Sequence, residues 1–171
     1  RCFRGAVDVD SGKLEEELKK KRANGEPGVQ DLWNAILGAG SGAQGVMPLS
    51  SESVCDCHKS GIDFDGRSHD IDIVVLWKGV NAMEYVDTPI ELKTDISTDA
   101  KSRDVVLQLM DRIRFMFDAQ PERQVCWGVG LDAKQMLFVR CADRSLQTFE
   151  VTPTLSVWES DGFGQLLWNF L

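Results

Sequence analysis

The chain has 171 residues, 43% of them apolar and 27% charged, a length and balance that suit one globular domain. Its net charge of −8 excludes a protein whose whole surface attracts nucleic acid, although it allows a small acidic metal site beside a local basic face. No apolar run approaches the roughly 20 residues needed to cross a bilayer, so we expect no membrane partner.

The N-terminal third is predicted to be helical, with a flexible connection after it. Residues 12–24 predict a first helix, in which acidic residues come early and basic residues late, as the helix dipole favours. Gly25 and Pro27 end this helix, and the apolar segment 29–40 predicts a second one. Residues 38–53 are rich in Gly and Ser but lack the Lys of a phosphate-binding loop, so we expect a flexible connection there.

The centre of the chain alternates strand-like and helical patterns. Residues 60–70 are rich in turn-forming types and lead into a predicted strand at 69–77. A hairpin-like excursion at 78–87 separates it from a second predicted strand at 88–94. The segment 97–120 predicts a long helix, because apolar residues recur at helical spacing. These residues are Val105, Leu109, Ile113, Met116 and Phe117.

The C-terminal third predicts two further strands, at 123–132 and 134–142, with a possible third at 145–153. The tail 159–171 predicts a closing helix. The whole order is helix, helix, strand, strand, helix, strand, strand, helix, which favours an α/β domain with a central mixed sheet flanked by helices.

We therefore expect one domain over residues 1–171. Its helical N-terminal part with the flexible connection occupies residues 1–60, and a core that carries the sheet occupies residues 61–171.

The five cysteines favour a reduced, intracellular protein in the cytoplasm or nucleus. Cys126 and Cys141 lie in apolar strand-like runs, which predicts buried thiols. Cys55, Cys57 and His58 are close enough in sequence to suggest zinc, but no second Cys or His pair completes a tetrahedral site, so we do not predict one.

Charged residues occupy both central strands, where a buried strand normally has none. Side chains alternate along a strand, so Asp70 and Asp72 share one face, as do Glu91 and Lys93. If the strands are neighbours, three carboxylates meet and require a cation, for which Mg²⁺ or Mn²⁺ is the natural choice. The Leu92 carbonyl is a further candidate ligand, and Lys93 would lie beside a metal-bound water. The alternative is a pair of solvent-exposed ion pairs on an edge strand.

The segments "HDIDIVV" and "TPIELKT" resemble the PD-(D/E)xK nuclease superfamily, whose fold is restriction-endonuclease-like. The resemblance implies a mixed sheet in the order helix, three strands, helix, strand. It also implies that Asp72, Glu91 and Lys93 are the catalytic set, with Asp70 assisting or substituting at the metal. Ile71 stands where the Pro of the family motif would be.

The long helix extends this resemblance at one position and departs from it at another. Many RecB-like members carry a Gln on the helix after the E-x-K strand, often with a Tyr four residues later. Gln108 matches the first of these positions, whereas Arg112 replaces the Tyr. Gln108 is therefore a candidate catalytic residue by resemblance, and a surface helix residue by the simpler interpretation.

Two narrower resemblances compete. "DID" and "ELKT" resemble two motifs of the DXO/Rai-type decapping exonucleases. Roughly the last hundred residues are similar to the region that precedes the kinase domain of fungal-type protein kinases, and to Crinkler-like modules. The chain itself lacks the kinase motif set, so it is not a kinase. The positions that carry the second resemblance are Gln120, Pro121, Arg123, Gly128, Met136 and Arg140.

Basic residues on or near the long helix predict a face that binds the backbone of a nucleic acid, unless they are simply its solvated side. They are Lys101, Arg103, Arg112 and Arg114. Arg123 and Arg140 either contact phosphates or form ion pairs, Arg123 with Asp118 or Glu122 for example. His69 is either a metal ligand or proton shuttle, or a surface residue.

These features together favour an Mg²⁺- or Mn²⁺-dependent nuclease acting on DNA or RNA. The first alternative is a catalytically inactive module with the same fold, an effector or kinase-associated domain that binds a protein partner. The second is an RNA 5′-end processing or decapping enzyme, which needs one more acidic ligand from the N-terminal helices, such as Glu16 or Glu17.

Overall fold

The computed structural model describes residues 25–37, 52–57, 62–77 and 82–157, and all structural statements concern these ranges. Two helices are present, α1 at Glu26–Leu37 and α2 at Asp99–Ala119, together with a short 3-10 helix at Met83–Tyr85. The strands are β1 Glu52–Asp56, β2 Ile62–Phe64, β3 Arg67–His69, β4 Ile73–Trp77, β5 Val86–Leu92, β6 Cys126–Leu131, β7 Gln135–Cys141, β8 Glu150–Val151 and β9 Leu155–Ser156.

One mixed sheet organises the fold, with strand order β1-β4-β5-β6-β7-β8 and β9 also paired to β7. Neighbouring strands are antiparallel except β5 and β6, which are parallel. A parallel pair needs a long crossover connection, and α2 provides it. The predicted α/β class with a central mixed sheet is confirmed at this level.

Each helix covers a different face of the sheet. On one face α1 packs through Val29, Leu32 and Trp33, and the Trp33 indole donates a hydrogen bond of 3.1 Å to the Asp132 carbonyl. On the other face α2 buries the five apolar residues that its spacing predicted. The sheet is therefore buried on both sides, which explains why its central strands are almost continuously apolar.

Two glycines on β6 let α2 lie close to the sheet. A side chain at Gly128 would place its Cβ 2.9 Å from the Leu109 Cδ2 atom, and one at Gly130 would collide with Val105. Real Cβ atoms do not approach other heavy atoms so closely, so a larger residue at either position would require these α2 side chains to shift. These glycines fix the height of α2 above the sheet, and with it the position of every side chain that α2 directs downward.

Several predicted boundaries differ from the structure. The strand predicted at 69–77 begins only at Ile73, because His69 belongs to a separate β2–β3 hairpin whose turn is Asp65-Gly66, both with positive φ. The predicted strand at 145–153 is reduced to the two residues of β8. The strand β1 lies partly within the segment predicted to be a flexible connection. The predicted helices at 12–24 and 159–171 lie outside the described residues.

Cys57, Cys126 and Cys141 are buried, which confirms the predicted burial of the last two. Burial raises the pKa of the Cys126 thiol to about 11. In the ranges that the structure covers, neither helix has the length and apolarity to cross a bilayer.

Candidate functional site

The start of β4 and the end of β5 bring Asp72 and Glu91 together. The two strands are antiparallel, with Ile73 opposite Ile90, and continuing this register by one residue places Asp72 opposite Glu91. The Leu92 amide donates a hydrogen bond of 2.7 Å to the Asp72 carboxylate oxygen Oδ2. The predicted meeting of these two acidic residues is therefore formed, although Asp72 lies just before the strand rather than within it.

The Glu91 carboxyl is the most perturbed acid of this site. It alternates with Ile90 and Leu92, whose side chains pack on the α1 face, so its own side chain lies beneath α2. Burial first, and then the neighbouring Asp72 carboxylate, raise the pKa of Glu91 from 4.5 to about 7. The charges of Arg112 and Lys93 act in the opposite direction. The negative charge of Asp72 therefore opposes ionisation of Glu91.

Arg112 is the direct partner of Glu91. Its Nε donates a hydrogen bond of 3.0 Å to Glu91 Oε1, and its Nη2 donates to the backbone carbonyl of Asp70. The guanidinium thus joins α2 to the segment before β4 and to the end of β5. The sequence predicted that Arg112 belongs to a nucleic-acid-binding face. One signal pointed toward the site instead, because Arg112 stands where many RecB-like proteins have a Tyr, on the same side of the helix as Gln108.

Lys93 follows the last residue of β5 and continues its pairing with β6, since its amide donates a hydrogen bond of 2.9 Å to the Leu131 carbonyl. Its side chain is half-buried, and its charge lowers the pKa of Glu91. Lys93 therefore lies within electrostatic reach of the Glu91 carboxylate, as the E-x-K spacing predicted.

Asp70 does not complete a cluster of three carboxylates. Asp70 is exposed, and its backbone carbonyl, not its carboxylate, accepts the hydrogen bond from Arg112. Over the described ranges, no group of three His, Cys, Asp or Glu side chains is arranged to hold a metal ion. The predicted convergence of Asp70, Asp72 and Glu91 is reduced to the last two, because residues 70–72 are not in a strand and the alternation of side chains does not apply to them.

The remaining pair still fits a divalent cation. Mg²⁺ in proteins is commonly held by one or two carboxylates, with water and substrate phosphate completing the shell. Asp72 and Glu91 supply two carboxylates, and the effect of Asp72 on the pKa of Glu91 is a repulsion that a cation between them would relieve. The donor set fits a two-carboxylate site, in which Arg112 competes for Glu91.

Asp132 is a buried acidic residue that the sequence analysis did not single out. Its carboxylate accepts hydrogen bonds from the amides of Ile96, Lys134 and Gln135, at 2.6 to 2.8 Å. It thereby ties the loop after β5 to the turn between β6 and β7. An Asp directly after a strand and before a tight turn was the available signal. Asp132 supports the end of β5, where Glu91 and Lys93 lie, and is not part of the site itself.

The other residues predicted to bind nucleic acid along α2 are exposed at its surface. Gln108, which the resemblance made a candidate catalytic residue, is also exposed, and Arg112, one helical turn later, makes the contact with Glu91. Lys101 forms an ion pair of 2.7 Å with Asp95, whereas Arg103 is exposed. The Lys101 ammonium and then the Ser97 groups lower the pKa of Asp95.

Arg123 has structural partners, which favour the ion-pair interpretation of this residue over a phosphate contact. Its guanidinium donates to the backbone carbonyls of Val86, Asp87 and Val125, and its ion pair is with Asp87 rather than with Asp118 or Glu122. Val86 and Asp87 begin β5, whereas Glu91 is near its end. Arg123 is therefore occupied at the opposite end of the strand from the acidic pair.

Residues 120–123, which carry part of the resemblance to the fungal-type kinase region, join α2 to β5. The Gln120 side-chain amide donates to the carbonyls of Met83 and Val86, and its oxygen accepts from Arg123 at 3.1 Å. Arg140 likewise has structural partners, an ion pair of 2.8 Å with Glu150 and the Trp127 ring beneath its guanidinium. Gln120, Arg123 and Arg140, three positions of the resemblance to the fungal-type kinase region, thus have structural partners within the fold.

His69 packs against an aromatic side chain on α2. Its ring centroid lies 4.3 Å from that of Phe115, and Phe64 of the same hairpin lies 6.0 Å from both. This contact anchors the β2–β3 hairpin on the helix and favours the structural interpretation of His69 over a ligand or proton shuttle. His58, Glu16 and Glu17 lie outside the described residues, as does the side chain of Cys55.

Comparisons of the chain with protein-family models, with curated proteins and with solved structures found no match. The chemistry of the site is therefore inferred from its own residues.

Proposed function

We propose that this protein is an Mg²⁺- or Mn²⁺-dependent nuclease that hydrolyses phosphodiester bonds at the Asp72–Glu91–Lys93 site. The observation that carries the proposal is the placement of a buried glutamate beside a second carboxylate, with a lysine two residues later on the same strand end. A fold gains nothing in stability from two like charges in such a place.

The order of elements supports the same proposal. A helix (α1) is followed by three sheet strands joined antiparallel (β1, β4, β5), then a helix (α2) and a parallel strand (β6). This is the order that a restriction-endonuclease-like fold implies, with the β2–β3 hairpin inserted between β1 and β4. In this arrangement one acidic residue lies just before the second of these strands and the other near the end of the third, close to where the resemblance expects them.

The residues of the site divide the work between them. Asp72 and Glu91 would hold the ion from opposite strands, and Asp72 is oriented for this by the Leu92 amide. A divalent cation bound there would stabilise the charge that develops on the phosphate and lower the pKa of a bound water. Lys93 presents an ammonium group that donates a hydrogen bond to the attacking water or to the reacting phosphate oxygen.

The inactive interaction module is the second candidate, and one observation favours it. Arg112 already supplies Glu91 with a positive partner at 3.0 Å, so the buried carboxylate does not depend on a metal for compensation. In that case the site is an ion-pair network that holds α2 to the sheet, and the chain acts by binding a protein partner. The two candidates differ in one measurable property, which is metal-dependent cleavage.

The test is a cleavage assay on end-labelled single- and double-stranded DNA and RNA, with Mg²⁺, with Mn²⁺ and with EDTA. We expect metal-dependent cleavage by the wild type and a loss of about 100-fold or more in Glu91→Gln and Lys93→Met. Glu122→Gln, a matched change at an exposed residue in the turn after α2, should cleave like the wild type. Absence of cleavage on all four substrates, or cleavage that survives Glu91→Gln, would overturn the proposal in favour of the inactive module.

A further inference from the structure

Arg112 binds one oxygen of the Glu91 carboxylate, the group that a cation at this site would also contact. The side chain of Glu91 is 4% exposed and that of Arg112 is 18% exposed, so this ion pair is largely withdrawn from water. By contrast, Arg114 on the same helix is 51% exposed and forms an ion pair with Asp111 at 3.8 Å. A withdrawn guanidinium on a carboxylate is a strong, directional interaction, so any ion that binds Glu91 must compete with it.

The backbone at Arg112 has little freedom to move. Leu109 and Ile113 on either side are fully buried, and Gly128 beneath them lets the helix rest directly on the sheet. An approaching cation therefore cannot displace the helix. It can displace only the flexible side chain of Arg112, which is long enough to turn toward solvent.

The charges of the site explain when that displacement is favourable. When ionised, Asp72 and Glu91 carry two negative charges, and Arg112 and Lys93 carry two positive ones. A divalent cation added to this balanced set leaves an excess of positive charge in a partly buried place, which is costly. The phosphates of a nucleic acid supply the missing negative charge, and guanidinium groups bind phosphate well.

We propose that Arg112 is a resident counter-ion that makes metal binding depend on substrate. In the free protein it neutralises Glu91, and when a nucleic-acid strand arrives it moves to a phosphate and leaves Glu91 to the divalent cation. Metal and nucleic acid then bind cooperatively, each strengthening the other. This inference rests on the proposed function, since it takes Asp72 and Glu91 as the metal site.

The test measures Mn²⁺ binding by electron paramagnetic resonance, which detects free Mn²⁺ and needs no turnover. The wild-type chain is titrated with and without a nuclease-resistant phosphorothioate oligonucleotide. We expect the oligonucleotide to strengthen Mn²⁺ binding about tenfold or more. Arg112→Gln should bind Mn²⁺ about tenfold more tightly than the wild type without the oligonucleotide, and should gain less from adding it.

Two further variants separate charge from geometry. Arg112→Lys retains a positive charge beside Glu91 and should keep the dependence on the oligonucleotide. Arg114→Gln removes an exposed guanidinium two residues away and should behave like the wild type. If Arg112→Gln does not fold, the effect of the oligonucleotide on the wild type alone still decides, because independent binding of Mn²⁺ contradicts the inference.

The outcomes separate a failure of the counter-ion inference from a failure of the proposed function on which it rests. If the wild type binds Mn²⁺ equally with and without the oligonucleotide and folded Arg112→Gln binds it no more tightly, Arg112 is a structural residue and the metal site stands. If no variant binds Mn²⁺ under either condition, the metal site itself is wrong, and the proposed function falls together with the counter-ion.

Discussion

At the scale of single residues, Glu91 is the residue whose burial on folding opposes ionisation of its own carboxyl group. A carboxyl group beneath a helix loses its hydration, and the Arg112 and Lys93 charges only partly replace it, so the pKa of Glu91 is raised to about 7. The neutral acid is thus the form that the metal-free protein prefers over much of the acidic range. A cation bound beside Glu91 would favour the ionised carboxylate and so would act against this shift.

This shift predicts a pH dependence of stability. The pKa of Glu91 is raised from 4.5 in the unfolded chain, so its contribution to stability is complete below pH 4.5 and is lost as pH rises to about 7. The loss amounts to roughly 3 kcal/mol at most. Glu91→Gln mimics the neutral acid, so its free energy of unfolding should lack this decline and exceed that of the wild type at about pH 8.

The measurement is urea denaturation in EDTA at a series of pH values. Glu122→Gln, at an exposed position, is the matched control and should show the same decline as the wild type. A decline that persists in Glu91→Gln would mean that another group causes it, and that the environment of Glu91 is not as the structure describes.

At the scale of elements, the site depends on how α2 is fixed to the sheet. Gly128 and Gly130 set the height of the helix, and the side chains of Gln120 and Arg123 fix its C-terminal end to the start of β5. Arg144 adds hydrogen bonds to the carbonyls of Phe117, Gln120 and Arg123. The position of Arg112 over Glu91 follows from both constraints.

The glycine contact predicts a specific coupling between two residues. Gly130→Ala introduces a Cβ that collides with Val105, so we expect it to lower the free energy of unfolding by about 1 to 3 kcal/mol. Val105→Ala removes the colliding atoms, so the double variant should be more stable than the sum of the two single effects predicts. Additive effects in a denaturation cycle would show that α2 does not rest on this glycine.

The hydrogen bonds of Arg123 predict that a lysine at this position, which keeps the positive charge, does not preserve stability. Arg123→Lys keeps the positive charge but cannot reach the several carbonyls that the guanidinium binds, so we expect a loss of roughly 3 kcal/mol in the free energy of unfolding. Arg103→Lys, at an exposed position on α2, should change stability by less than about 0.5 kcal/mol. Equal stability of the two variants in urea denaturation would contradict the structural role of Arg123.

At the scale of the whole molecule, the helices and strands that were predicted correctly are those with long, regular patterns of apolar residues. The apolar spacing of α2 and the long apolar runs of β5, β6 and β7 are local patterns, and each element is found where its pattern lies. The β2–β3 hairpin and the strand β1 were not predicted, because short strands form only when a partner or a covering helix is present. Periodicity carries no information about such partners.

The candidate site was predictable only in the part that follows from strand pairing. The meeting of Asp72 with Glu91 follows from two neighbouring strands, and sequence spacing is enough to expect it. The exclusion of Asp70 depends on where β4 begins, and the contact of Arg112 with Glu91 depends on how α2 lies across the sheet. Both are properties of the assembled fold. The sequence allowed a structural role for Arg123, but it could not identify the partners on β5, Val86 and Asp87, which are 37 and 36 residues earlier in the chain.

The most direct test of the central claim is a calorimetric titration of Mn²⁺ in the presence of a nuclease-resistant oligonucleotide, on the wild type, Asp72→Asn and Asp70→Asn. The claim is that Asp72 and Glu91 hold the ion and that Asp70 does not. We therefore expect Asp72→Asn to lose affinity by about tenfold or more, while Asp70→Asn binds like the wild type. Loss of binding in Asp70→Asn with retention in Asp72→Asn, or no binding by the wild type, would contradict the account.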